Sequence, residues 1–157
     1  DRVELIGGEL VPMAAKGIRH EIVRGRLLSW IARRIPSHLD FGSEPGWRPG
    51  GNNYAEPDIL VFPVGFDAPT VPPSEVLLLI EVARSSLRFD REVKARLYAG
   101  LGVREYWVVD ARRLVTHVHR QPAADGYGET FDVGKRKRAT PLLVPEVAVC
   151  LGEVMGK

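Results

Sequence analysis

Residues 76–83 read VLLLIEVA, the longest apolar run in the chain, interrupted by a single acid, Glu81. Its length and branched side chains suit a buried strand, and it is far short of the ~20 apolar residues of a membrane span. Upstream, PDILVF at 57–62 is a second apolar segment, opened by Asp58 and stopped by Pro63. Residues 63–75, with four prolines, make the loop between the two. Downstream, Val93, Leu97 and Leu101 recur at helical spacing, predicting a helix from Asp90 to Gly100 that Gly100 and Gly102 terminate. EYWVVD at 105–110 is the next strand. LVTHVHR at 114–120 alternates, with Leu114, Thr116, Val118 and Arg120 on one face and Val115, His117 and His119 on the other. A Gly-rich turn at 125–128 and a short strand at 129–133 follow. The tail PLLVPEVAVCLGEV is expected to pack along a sheet edge.

Working back to the start, two short apolar stretches, 3–6 and 9–13, are separated by Gly7-Gly8, the composition of a tight hairpin turn. Ile18, Ile22, Val23, Leu27, Trp30, Ile31 and Ile35 then mark an amphipathic helix over 18–35, ended by Pro36. Beyond it the chain is rich in Gly, Pro and Asn, and strand-like fragments at 38–44 and around Trp47 flank a loop. Strands, helix, strands, helix and strands in that order mean α/β or α+β with a mixed sheet. The reading adopted is α/β: a mixed, strongly twisted sheet flanked by two main helices, with an N-terminal β-hairpin. The 18–35 helix covers one face and the 90–101 helix lies beside the site.

A chain of 157 residues fits one domain, 1–157, around one core. Its 45% hydrophobic and 27% charged content is ordinary for a globular protein and excludes a disordered or repetitive chain. Cys150 stands alone, which excludes an intramolecular disulfide and a thiolate zinc cluster. No signal peptide is visible, so a cytoplasmic location is expected; Asp1 is not preceded by Met, and further N-terminal sequence is expected as well. The net charge is only +2, yet Arg19, Arg24, Arg26, Arg33 and Arg34 crowd the first helix and KRKR occupies 135–138. Such runs permit phosphate binding without demanding it, since most are solvated faces.

Two acids stand where acids are costly. Asp58 and Glu81 interrupt the two most apolar strands, where a carboxylate is desolvated unless it is paired or binds a cation. Two carboxylates on neighbouring strands suit Mg²⁺ or Mn²⁺, cations that accept oxygen ligands. Lys94 is the candidate cation for the attacking water, because Asp90, Lys94 and Tyr98 share one side of the second helix. Plainer roles exist for each: Asp58 capping a turn, Glu81 pairing with Arg84, Lys94 pairing with Asp90. His20 and Glu21, early in the first helix, are further candidates at the edge of the site, as is Tyr98. His117 and His119 share a strand face and read more readily as a polar surface than as metal ligands. No Ser/His/Asp or Cys/His nucleophile set, phosphate-cradling loop or dinucleotide fingerprint stands out.

The segments ELIGGELVPM, EPDILVFP, LLLIEVARSS and DREVKARLYAGLGVREYWVVD resemble the Uma-two family of restriction endonucleases over nearly the whole chain, to about Leu151. The resemblance implies the PD-(D/E)XK nuclease fold, with Asp58 and Glu81 as metal-binding acids and the backbone carbonyl of Val82 as a further ligand. In the standard motif a lysine follows the glutamate by two positions. Ala83 stands there, and the resemblance instead places the lysine on the following helix, at Lys94. Members often carry an acid or Ser where Arg84 stands, and the pattern assigns that arginine no role.

The function expected is therefore metal-dependent cleavage of nucleic acid, most readily DNA, by Asp58, Glu81 and Lys94 with Mg²⁺ or Mn²⁺. Arginines of the first helix and the 135–138 run would hold the phosphate backbone. By analogy with other nucleases of this fold, a homodimer is expected. The alternative from another class is a non-cleaving module that binds nucleic acid or protein on a nuclease-derived scaffold, which the loss of the strand lysine favours.

Overall fold

The computed structural model describes residues 2–156. Strands β1 (Val3–Ile6) and β2 (Glu9–Pro12) pair antiparallel as the predicted hairpin. Gly7 and Gly8 both take positive φ, 60° and 86°, as a primed two-residue turn requires. Helix α1 runs over Ile18–Arg34 and ends as Pro36 approaches. Its buried stripe is Val23, Leu27 and Ile31, whereas Ile18 and Ile22, counted in the predicted stripe, face outward.

The main sheet has six strands in the order β3 (Leu39–Gly42), β4 (Ile59–Pro63), β5 (Leu78–Ala83), β6 (Glu105–Asp110), β7 (Val115–Ala123) and β8 (Gly126–Val133). All neighbours are antiparallel except β5 and β6, so the sheet is mixed as expected. That parallel pair needs a crossover, and helix α2 supplies it. It is built of an opening turn, Leu87–Phe89, a π-helical turn, Asp90–Lys94, and an α-helical end, Ala95–Leu101. Gly102 closes it at φ 87°, in the left-handed region that glycine occupies without strain.

Alternation along the strands divides the interior in two. Ile59, Val61, Leu78, Ile80, Val82, Trp107 and Val109 meet α1, while Leu60, Phe62, Leu79, Tyr106 and Val108 meet α2 and Trp47. Of the predicted Val93–Leu97–Leu101 stripe, Leu97 and Leu101 are half-buried against the core, but the most deeply buried face of α2 is another. Asp90, Lys94, Ala95, Tyr98 and Ala99 are buried, and Val93 is exposed. Polar partners at the sheet end add to the packing of Ala95 and Tyr98 in setting the rotation of this helix.

Two further expectations change. The β7–β8 turn is Ala124-Asp125 alone, and Gly126 to Gly128 already belong to β8, so the hairpin is longer than its exposed, polar second strand suggests. The tail does not extend a sheet edge. Arg138–Ala139 and Val149–Cys150 form their own short antiparallel pair, and Val144, Val147, Leu151, Val154 and Met155 join the core beneath α1. Trp30 Nε1 donates to the Ala148 carbonyl at 3.0 Å, and Arg26 to the Met155 carbonyl at 3.0 Å, pinning helix and tail together.

Leu27 is fully buried where α1, the sheet and the tail converge. Leu27→Ala is expected to lower the unfolding free energy by about 2–5 kcal/mol, the range for a buried leucine truncated to leave a cavity. Urea denaturation of the variant against the parent chain measures it.

Candidate active site

The β4–β5 register pairs Ile59 with Ile80, and one residue further it sets Asp58 across from Glu81. Both side chains then fall on the α2 side of the sheet. The backbone binds them to one another: Val82 N–H donates to Asp58 Oδ2 at 2.7 Å, and Asp58 N–H donates to Glu81 Oε1 at 3.1 Å. Two carboxylates directly opposite on neighbouring strands repel each other, so the arrangement needs positive charge.

Helix α2 delivers it. Lys94 donates to Glu81 Oε2 at 2.7 Å, and Tyr98 OH donates to the same oxygen at 3.0 Å. A π-helical turn is a frequent mark of a functional segment, and this one carries both Asp90 and Lys94 into the interior. Lys94 also meets Glu4 Oε1 of the hairpin at 2.8 Å. The second oxygen of Glu4 accepts the Glu56 N–H at 2.8 Å, which fastens the hairpin to the chain just before Asp58. From α1, His20 Nε2 lies 3.1 Å from Asp58 Oδ1, and Lys16 Nζ lies 3.4 Å from the same oxygen. Lys16 is in turn paired with Glu44, which Arg2 also contacts at 2.8 Å. His20 Nδ1, 3.3 Å from Glu21 Oε1 but poorly aligned with it, is left without a hydrogen-bond partner.

These side chains line a cavity of about 210 Å³ whose walls are β2 and the segment after it, the start of α1, the ends of β4 and β5, and the first turns of α2. Asp58, Glu81, Lys94, His20 and Val82, all expected at the site, converge there. Tyr98 is buried behind Glu81. Glu21 is not among the lining residues; it points outward and pairs with Arg24. The site also contains residues that pattern reading passed over. Glu4 is a buried acid within the hairpin and Lys16 lies in the segment between hairpin and helix; Asp90, on the same side of its helix as Lys94 and Tyr98 as expected, is held by Ser86 Oγ at 2.8 Å. The one available signal for Glu4 was an acid on an otherwise apolar strand.

The helix arginines are mostly engaged elsewhere. Arg19 donates to the Ala111 carbonyl at 2.8 Å, Arg24 bonds Ser43 at 2.7 Å, and Arg34 stacks 3.4 Å over the Trp30 ring. The 135–138 run does not line the cavity. His117 pairs with Asp132 at 2.6 Å and His119 with the Tyr106 carbonyl at 3.1 Å, so each has its own partner.

Charge is unbalanced here. Glu4, Asp58, Glu81 and Asp90 are buried, against one buried ammonium, Lys94. Burial, reinforced by Asp58, Asp90 and Glu4, pushes the Glu81 carboxyl well above the ordinary range. Burial likewise raises Asp90 to about 6, despite Lys94 and Ser86. For Asp58 burial acts in the same direction, but His20, Lys16 and the Val82 N–H outweigh it and hold the acid below its ordinary value. Lys94 is held above its ordinary value, because Glu81, Glu4 and Asp90 outweigh its own burial. Among the described residues no three His, Cys, Asp or Glu side chains stand as a ready-made metal cage. The donor chemistry nevertheless fits a hard divalent cation: the groups that face one another are carboxylate oxygens, and among the described residues the buried acids outnumber the one buried ammonium.

A family model described as "Putative restriction endonuclease" matches residues 1–150. A crystal structure of "a putative nuclease belonging to DUF820" from Anabaena variabilis shares the fold, with a TM-score of 0.70 over 97% of this chain and 88% of that one, at 17% identity. No curated protein sequence matches the chain.

Lys94→Ala removes the cation from beneath three acids. The expected loss is about 3–5 kcal/mol of stability at neutral pH, as for a buried ion pair broken on one side. Without the ammonium the Glu81 and Asp90 carboxyls, already raised, rise further in the folded state, so the deficit grows as pH rises through their range and shrinks as these acids protonate. Thermal melting between pH 4 and 8 follows it; a deficit independent of pH would mean that Lys94 contributes by packing alone.

Proposed function

The chain belongs to the Uma2 family of restriction-endonuclease-like proteins, and from that premise we propose that its acid cavity hydrolyses phosphodiester bonds in nucleic acid, with DNA as the substrate. The observation that carries the reading is the convergence of Asp58, Glu81 and Lys94, from two strands and a helix, on one cavity open to solvent. Asp58, Glu81 and the carbonyl of Val82 would hold Mg²⁺ or Mn²⁺. When bound, such a cation lowers the pKa of its water and neutralises phosphoryl charge.

The chain's own residues account for the rest. Lys94, against Glu81, would position the attacking water and stabilise negative charge on the phosphorane. Its place on α2 serves as well as one on β5, since the chemistry depends on where the ammonium sits and not on the backbone that carries it. His20 holds Asp58 Oδ1 and fixes that carboxylate's orientation. Tyr98 does the same for Glu81 from behind. Ala83, at the position of the standard strand lysine, is buried under α2, so a lysine there would have to displace the packing that Ala95 and Tyr98 make. Hydrolysis adds water across one P–O bond and leaves a phosphomonoester and a hydroxyl.

A non-cleaving reading draws on one observation: the carboxylate oxygens already have protein partners in Lys94, Tyr98, His20 and backbone N–H groups. Calorimetric titration with Mn²⁺ and plasmid nicking, each on the parent chain and on Asp58→Asn, separate the two. Saturable binding lost in the variant, together with nicking reduced by at least about 100-fold, is the expected result. Nucleic-acid binding that needs no cation and survives Asp58→Asn, with no nicking in either protein, would decide for the non-cleaving module.

A further inference from the structure

An acid cavity repels a phosphodiester unless a cation is left over to receive it. Among the described residues, three cationic side chains line this one: Lys16, Arg84 and Lys94. Lys94 is buried and shared by Glu4 and Glu81. Lys16 is paired with Glu44 and lies against Asp58. Arg84 is exposed and makes no hydrogen bond or ion pair among the described residues.

Its place is fixed by the sheet. Val82 and Ala83 are the last residues of β5, and the Ala83 carbonyl accepts the Ala111 N–H at 2.8 Å, so Arg84 leaves the sheet from an anchored strand end. It follows Glu81 by three residues and lies on the solvent side of the acids. It does not form the pair with Glu81 that its proximity in sequence allows, because Lys94 and Tyr98 already satisfy Glu81 Oε2.

From this placement we infer that Arg84 is the phosphate-binding residue of the cavity, holding the non-bridging oxygens of a nucleic-acid phosphodiester at the mouth while the buried residues act on it. A guanidinium is well matched to that ligand, because its planar fork meets two phosphate oxygens at once and it stays charged at any working pH. The contact is to the backbone and carries no sequence information. The inference rests on the reading of the cavity as a phosphodiester site and adds the residue that makes an acidic cavity able to take an anion. Arg84 is a binding and positioning residue, distinct from the buried set that does the chemistry.

The test compares Arg84→Ala, Arg84→Lys and Arg88→Ala with the parent chain. Arg88 is a fair charge control: it is exposed, pairs only with Glu92, and lines a separate groove between α2 and β8. Binding of a short fluorescent DNA duplex is followed by anisotropy over a range of salt, with Ca²⁺ present, and each variant is checked by thermal melting. Arg84→Ala is expected to melt with the parent, to bind about tenfold more weakly, and to lower the slope of log affinity against log salt by about one. Arg84→Lys keeps the slope and recovers part of the affinity, and Arg88→Ala changes the affinity by less than about twofold. Parent-like binding by Arg84→Ala, or an equal loss in Arg88→Ala, would overturn the assignment and leave the proposed reaction standing. A parent chain that binds DNA through Arg84 but never nicks it would overturn the reaction and leave the assignment standing. A parent chain with no affinity for DNA or RNA duplexes or single strands would overturn both.

Discussion

Lys94 joins parts of the chain that are far apart in sequence. Its ammonium bridges Glu4 of the N-terminal hairpin and Glu81 of the central strand, 13 residues before it in sequence, while Asp90 lies on its own helical turn. The hairpin pairs with none of the six main strands; it is tied to the chain leading into β4 by the Leu5–Tyr54 bridge, by Gly7 and Gly8 N–H groups donating to Asn53 and Asn52, by Arg2 against Glu44 and Glu56, and by the Glu4 carboxylate. Helix α2 is rotated so that Lys94 is buried while Leu97 and Leu101 are half-buried against the core. A buried ion pair is a poor source of net stability, because desolvation offsets most of the Coulomb gain. What it does supply is selectivity of arrangement, since any other rotation of α2 would strand buried acids without a counter-charge.

The acids themselves follow from strand geometry. Alternation sends Leu79, Glu81 and Ala83 to one face and Leu78, Ile80 and Val82 to the other, and the antiparallel register brings Asp58 opposite Glu81. A slip of one residue would turn Glu81 into the core under α1, where no cation waits. The apolar neighbours of both acids thus serve two ends. They lock the register, and they hold the carboxylates in surroundings dry enough to raise Glu81 and Asp90 above their ordinary range.

Across the cavity wall, charge is graded. The interior carries four acids and one ammonium; at the mouth, Arg84 is exposed and unpaired among the described residues. In the proposed reaction that gradient would suit an anionic substrate whose reacting group approaches carboxylates, with a divalent cation held between them. It also explains why a near-neutral net charge of +2 is compatible with a nucleic-acid substrate: the positive charge that matters is local, and most of the conspicuous arginines on α1 hold the fold together.

The sequence by itself determined the sheet strands around the site, the two long helices and the glycine hairpin, because apolar periodicity is local, and it singled out Asp58, Glu81 and Lys94 as candidates that the structure brings together, because an acid within an apolar strand has few inexpensive explanations. It misjudged the tail, and it did not foresee that Val93 turns outward from α2, because the surface these apolar residues meet is decided by distant partners. Glu4 and Lys16 could not be placed beforehand. Their roles depend on a carboxylate 90 residues from its ammonium and on a lysine before α1 reaching Asp58. Periodicity reports which way a side chain points within its own element. Only the packing of hairpin, sheet and helix decides which charges share a dielectric cavity, and Coulomb energy in such a cavity depends on distances that no local pattern encodes.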